Sequence, residues 1–200
     1  MLAPELRDQL LACEAVVIGA SAGAVEALNQ LLPAVPEAAR IPVAVVVHLP
    51  PNRPSLLPEV FASRCLARVR EPVDKEPMTA GSIWFAPSNY HLLLESDRSF
   101  AFSTDLPVNF SRPSIDVFFE SASDVFGETL CCVVLTGAND DGALGASAVR
   151  RQGGLVIVQD PESAEAKQMP SAAISRANPQ IIATLPEITE LIRLATRAVQ

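Results

Sequence analysis

The chain has 200 residues, 49% of them hydrophobic and 19% charged, so it can bury a full core and is neither a disordered polypeptide nor a short stapled scaffold. Its formal net charge of −8 lacks the basic surface with which a nucleic-acid binder neutralises phosphates. Only two histidines occur, His48 and His91, which confines the choice of a base that titrates near neutral pH.

In chain order, MLAPELRDQLLACEAV carries Glu5, Arg7 and Asp8 and has no basic segment leading into a continuous apolar run, so it does not read as a secretory leader. Residues 15–18 (AVVI) form a short apolar run that ends in GASAGA, after which Val25, Leu28, Leu31 and Leu32 recur at helical spacing. Strand, tight turn and helix are predicted there. Residues 42–47 (PVAVVV) predict a second buried strand ending at His48, and after Pro50 and Pro51 a Ser55-led segment through Cys65 predicts a helix. GSIWFAP, HLLLE and SFAFS, punctuated by Ser96-Asp97-Arg98, predict an inserted meander of antiparallel strands. From Pro113 to Phe126 a helix is predicted, because Ile115, Phe118, Phe119, Ala122, Val125 and Phe126 share one face and Gly127 stands where a C-terminal cap belongs. TLCCVVLTG (129–137) is a further buried strand, GALGASAVRRQGG a helix closing on paired glycines, and LVIVQD a strand ending in Asp160. A last helix starts at Pro186.

Strands apolar on both faces and separated by helices predict an α/β fold: a doubly wound, mostly parallel sheet with helices on both faces and a small antiparallel hairpin insertion. No Pro-, Gly- or Ser-rich linker divides the chain, which predicts one domain over residues 1–200. No apolar run has membrane-spanning length, and the four cysteines, Cys13, Cys65, Cys131 and Cys132, lack CxxC spacing. A cytoplasmic protein with reduced thiols is expected, without membrane insertion, nucleic-acid partner or metal.

In open parallel sheets, reactive groups gather beyond the carboxyl ends of the strands. Gly19-Ala20-Ser21-Ala22-Gly23 fits G-x-S-x-G between a strand and a helix, a setting that exposes a serine hydroxyl beside the unpaired N–H groups of a helix start. The pattern alone suits a phosphate-cradling turn or an N-cap serine equally well. A dinucleotide fingerprint is disfavoured, because it needs glycine at Ser21 and Ala24 and an acidic residue where His48 stands. His48, at the next strand end, is placed to accept a serine proton, whereas His91, at the start of a hairpin strand, is read as structural. A carboxylate must then orient the imidazole; Asp140, Asp141 and Asp160 all stand at strand ends, and position does not rank them. Asp141, just before Gly142, equally suits an ordinary helix cap. Arg53, Arg64, Arg68 and Arg70 near the His48 loop, with Arg112 before a later helix, form a candidate patch for docking an acidic partner, the alternative being a solvated face.

VVIGASAGAVEAL, VVVHLPPNRPSLLPEVF, GSIWFAPSNYHLLLE, FSRPSIDVFFESAS, VVLTGANDDGALGASAVRRQGG and VIVQDPESAEAKQMPSAAI, in order across about residues 14–185, resemble the catalytic domain of the CheB family, the chemotaxis protein-glutamate methylesterases. The resemblance implies a Ser-His-Asp hydrolase of glutamate methyl esters on the cytoplasmic helical bundle of chemoreceptors, releasing methanol, with deamidation of receptor glutamines as a second activity. It implies no cofactor. By the same resemblance the nucleophile falls on Ser21, the base on His48 and the aspartate on Asp141, with the backbone N–H groups of Ala22 and Ala138 as the oxyanion hole. Three departures stand out. Ala24 replaces a second glycine after the nucleophile, and Ala138-Asn139 replace Met-Gly in the aspartate loop, where a positive φ would strain Asn139. The third is the short stretch before the first strand, which leaves no length for the phosphorylatable receiver domain common in the family and implies regulation by a separate protein. Rival expectations are a serine esterase or amidase with another substrate, and a non-catalytic regulatory scaffold of the same fold.

Overall fold

The apolar runs are hydrophobic on both faces because both faces of the sheet they form are covered by helices. The computed structural model describes residues 2–49 and 54–197. Its elements run α1 (Pro4–Ala12), β1 (Ala15–Ala20), α2 (Ala24–Leu31), β2 (Val43–Val47), α3 (Leu57–Ala62), β3 (Arg68–Arg70), β4 (Ser82–Phe85), β5 (His91–Leu94) and β6 (Phe100–Ser103). Then follow α4 (Ile115–Phe126), β7 (Leu130–Val134), α5 (Ala143–Arg151), β8 (Leu155–Gln159), α6 (Gln168–Ala177), β9 (Ile181–Ala183) and α7 (Leu185–Thr196). Seven strands form one parallel sheet in the order β3-β4-β2-β1-β7-β8-β9, and β5 and β6 pair antiparallel as a separate hairpin.

Alternation along each strand divides the core in two. Val16, Ile18, Val43 and Val45 face Leu28, Leu31, Ile188 and Ile192 on one side of the sheet; Val17, Ala44 and Val46 face Phe118, Phe119, Val149 and Met169 on the other. All are buried, and each large side chain so placed contributes about 1.5–3 kcal/mol. No helix among the described residues is long and apolar enough to cross a membrane.

One expectation is corrected. GSIWFAP is not part of an antiparallel meander: β4 lies within the main sheet, parallel to both β2 and β3. Its pattern explains why, since Ile83 enters one half of the core and Trp84 the other, and only a sheet covered on both sides satisfies both. The hairpin strand β6 buries only Phe100 fully and leaves its other residues partly exposed. Pro113 precedes α4 instead of opening it; the bond before it is cis, and Ser114 caps the helix by accepting the N–H of Val117. The helix after Pro51 is shorter than predicted, with α3 ending at Ala62.

The strand order fixes where a site can form. β1 pairs with β2 on one side and β7 on the other, with Gly19 level with both Val46 and Val134. The connection after β1 runs to β2 and that after β7 runs to β8, in opposite directions across the sheet, which opens a crevice between the carboxyl ends of β1 and β7.

Candidate active site

Ser21 follows β1 directly. Its N–H donates to the carbonyl of Thr136 (2.9 Å), and its own carbonyl accepts the N–H of Ala24 at the start of α2 (2.9 Å), so the chain is bent sharply on the serine. The bend depends on Gly23 at φ +79°, where a Cβ would lie 2.8 Å from Oε2 of Glu165. The peptide after the serine is held from below: the Thr136 hydroxyl donates to the carbonyl of Ala22 (2.8 Å) and accepts the N–H of Ala166 (2.9 Å). Ala24 occupies a buried helical position with room for its methyl group.

His48 ends the neighbouring strand, with its N–H donating to the carbonyl of Ala20 (3.3 Å). Its Nδ1 is 3.0 Å from Oγ of Ser21, and its Nε2 is 2.7 Å from Oδ2 of Asp141. The Asp141 carboxylate is an acceptor, so Nε2 carries the proton and Nδ1 presents its lone pair to the serine.

Asp141 lies in the loop after β7 and is fully buried. It does not cap α5, whose N-cap is Gly142 at φ +92°. It instead crosses to the start of α4 and accepts the N–H groups of Ile115 (2.7 Å) and Asp116 (3.1 Å), the Ser114 hydroxyl (2.9 Å) and the Asn109 amide (3.1 Å). Burial alone would raise its pKa. The hydrogen bonds from His48, the two helix N–H groups and Asn109 outweigh burial and hold it at about 2, so the carboxylate is ionised whenever His48 needs a counter-charge.

The other predicted residues are dispersed. Asp140 is exposed and accepts a bond from Gln168, and Asp160 accepts the N–H of Glu162 in a short turn after β8. His91 is buried; it accepts the N–H of Ser114 (3.2 Å) and donates to the carbonyl of Leu106 (3.1 Å), a purely structural bridge. The N–H groups of Ala22 and Ala138 donate to no acceptor among the described residues. Neither Ala138 nor Asn139 has a positive φ, so the strain expected at Asn139 is absent.

Among the described residues, the predicted arginines do not gather beside Ser21. Arg53 lies outside the described residues. Arg64 bonds Asn29 near the far end of α2, and Arg68 is level with Ser82 at the amino end of the sheet, opposite His48. Arg70 pairs with Glu76 and stacks over Trp84, and Arg112 donates to the carbonyls of Thr104 (2.7 Å) and Asp105 (2.9 Å). Sequence proximity misled here, because α3 carries the chain from the carboxyl edge back to the amino edge.

Four contributors escaped the sequence reading: Thr136, Asn109, Ser114 and Asp116. Thr136 stands in the Leu-Thr-Gly stretch at a strand end, and Pro113-Ser114 is a helix-start signal; both were visible as patterns without a role. Asn109 sits at φ +49° in an irregular loop and has no signal.

A cleft of about 410 Å³ opens over Ser21 and His48, lined also by Val25, Glu26, Leu57 and Glu165. A parallel α/β sheet whose edge brings serine, histidine and buried aspartate into one hydrogen-bonded line has the architecture of a serine hydrolase. The chain belongs to the CheB methylesterase family, whose model matches residues 16–192. It is similar to the crystal structure of the Thermotoga maritima CheB methylesterase catalytic domain, with a TM-score of 0.86 and 30% identity, covering 91% of this chain and 98% of that one. A Leptospira interrogans relative, provisionally named a protein-glutamate methylesterase/protein-glutamine glutaminase, is 43% identical over 182 residues, 90% of this chain and 94% of that protein. A protein-glutamate methylesterase/protein-glutamine glutaminase of Trichodesmium erythraeum is 36% identical over 91% of this chain, which spans 53% of that relative.

Proposed function

We propose that the chain is a protein-glutamate methylesterase that hydrolyses glutamate methyl esters on chemoreceptors, with residues 1–200 acting as a single catalytic domain. The observation that carries this reading is the contact line from Ser21 Oγ through His48 to Asp141, 3.0 Å and 2.7 Å long. Ser21 attacks the ester carbonyl while Nδ1 of His48 takes its proton, and Asp141 stabilises the imidazolium that forms. The unpaired N–H groups of Ala22 and Ala138 receive the oxyanion. The proton on His48 then passes to the leaving methoxide and methanol departs. Water repeats the sequence on the acyl-enzyme and frees the glutamate side chain. On a receptor glutamine the same steps release ammonia. No step needs a cofactor.

The cleft also favours release of the product. Its lining includes Glu26 and Glu165, so a neutral methyl ester enters without penalty, whereas the glutamate carboxylate it becomes meets like charge and is expelled. The receptor's cytoplasmic helical bundle is the substrate surface, and the enzyme works in the cytoplasm.

Methanol release from a methylated receptor tests the reading. Ser21→Ala is expected to lower the rate on the order of 10⁴-fold or more with the fold intact, because only a hydroxyl at a small-residue turn is removed. Equal rates for variant and wild type would overturn the assignment.

A further inference from the structure

The loop that carries Asp141 sets a second side chain against His48. Oδ1 of Asn139 accepts the N–H of Asp141 (3.2 Å), and Nδ2 of the same carboxamide points at Nδ1 of His48 (3.3 Å). The two ends are not interchangeable, since a flipped amide would set its NH₂ group against the Asp141 N–H. Nδ1 has one in-plane lone pair, and Ser21 Oγ lies 3.0 Å from the same atom. Two donors therefore share one acceptor.

We propose that Asn139 is a positioning residue that restrains the Ser21–His48 pair by occupying the Nδ1 lone pair that must take the serine proton. This rests on the esterase reading of Ser21 and His48. During attack the Ser21 O–H bond breaks, the proton goes to Nδ1, the oxygen bonds to the ester carbon, and the carbonyl π pair moves onto its oxygen. Nδ1 is then a donor itself. The Asn139 NH₂ group facing it has lost its acceptor, and two positively polarised N–H groups stand opposed. A bond present in the ground state and absent in the transition state slows turnover, so the amide works against the attack step. Asn139 takes an ordinary backbone conformation, so replacing it relieves no strain that would mimic this effect.

The test compares the full chain with Asn139→Ala and Asn139→Leu, the second of which keeps the bulk beside His48 without any donor. One readout is the second-order rate of fluorophosphonate labelling of Ser21, and the other is kcat and KM for methanol release from methylated receptor. Both variants are expected to label faster and to raise kcat about fivefold, the factor set by one ordinary net hydrogen bond, with KM unchanged. A melting curve for each variant checks that the fold is retained, and the Leu variant stands in if the Ala variant loosens the loop. Unchanged rates in folded variants, or a fall in kcat, would overturn the restraint; a fall would mean that the amide assists the reaction. Failure of the esterase reading is separately visible, as wild-type Ser21 that resists labelling and Ser21→Ala that still releases methanol. That outcome would remove the inference along with its basis.

Discussion

The start of α4 holds two buried carboxylates in adjoining pockets, and they titrate in opposite directions. Asp141 receives the imidazole of His48, two helix N–H groups, the Ser114 hydroxyl and the Asn109 amide, and sits at about 2. Asp116 is almost as buried, but its oxygens accept the N–H of Gly145 (2.8 Å) and the other side of the same Asn109 amide (3.0 Å). Burial, helped by the neighbouring Asp141 charge, pushes it up to about 6 against the pull of the Gly145 N–H. Burial is common to the two pockets, so the number of donors decides the outcome. The pocket that reaches the sheet edge is the one whose carboxylate is kept permanently ionised.

The sharpest way to break this comparison is Asp141→Asn. The amide cannot accept all five bonds, and it turns an NH₂ group toward donors that need a lone pair. Methanol release is expected to fall about 10³–10⁴-fold in kcat with KM little changed, as for an orienting carboxylate that positions a base without touching substrate. Asp160→Asn, which alters only the turn after β8, should stay within about twofold of wild type. Equal losses in the two variants would show that the ionised pocket has no special role.

Ser114→Ala is a milder probe of the same pocket. It removes one donor of three from Oδ1 of Asp141 and leaves both Oδ2 bonds, including the one to His48. A charge-assisted bond of this kind is worth about 1.5–3 kcal/mol, shared between stability and turnover, so a loss of about tenfold in kcat is expected. His91 accepts the N–H of Ser114, not its hydroxyl, so that bridge survives the change. An unchanged kcat would mean that the remaining donors already saturate the carboxylate.

The two pockets also show how far a sequence carries. Ser21 and His48 could be found because each ends a buried apolar run, and the periodicity that predicts a strand also predicts which residue stands beyond it. By strand-end position Asp141 could be found only as one of three carboxylates, and it was the family resemblance that singled it out. Ranking it by position was impossible because its decisive contacts are with the start of α4, 26 residues away along the chain at Ile115, which arrives only through tertiary packing. Asn109 was invisible for the same reason, since its role depends on a loop that has no periodicity. Trp84 illustrates the parallel case for the fold: a short apolar strand followed by a hairpin reads as a meander, and only its burial on both faces puts β4 in the main sheet. The arginines fail in reverse: Arg64 and Arg68 are near the His48 loop along the chain, but packing carries them to the amino edge of the sheet, away from it.

The smallest effect, and the one that isolates the second pocket, is expected from Asp116→Asn. A carboxyl raised to about 6 in the folded state and near 3.9 when unfolded binds its proton more tightly in the folded form. Its contribution to stability is therefore complete below about pH 4 and is lost as pH rises through about 6. Asp141 runs the other way: its contribution is complete above about pH 4 and is lost as pH falls toward about 2. Between pH 4.5 and 7.5 Asp141 is constant, so the change with pH in the difference between wild type and Asp116→Asn reports Asp116 alone. The melting temperature of the variant minus that of wild type should increase across this interval by about 5 °C, the scale that about two pKa units set in a chain of this length. Methanol release should change less than about threefold, because the Asp116 side chain touches neither His48 nor Ser21, it shares Asn109 with Asp141, and the backbone N–H that Asp116 donates to Asp141 is kept in the variant. A melting difference that stays flat over the interval would mean that Asp116, like Asp141, is already ionised at pH 4.5, and that burial does not raise it.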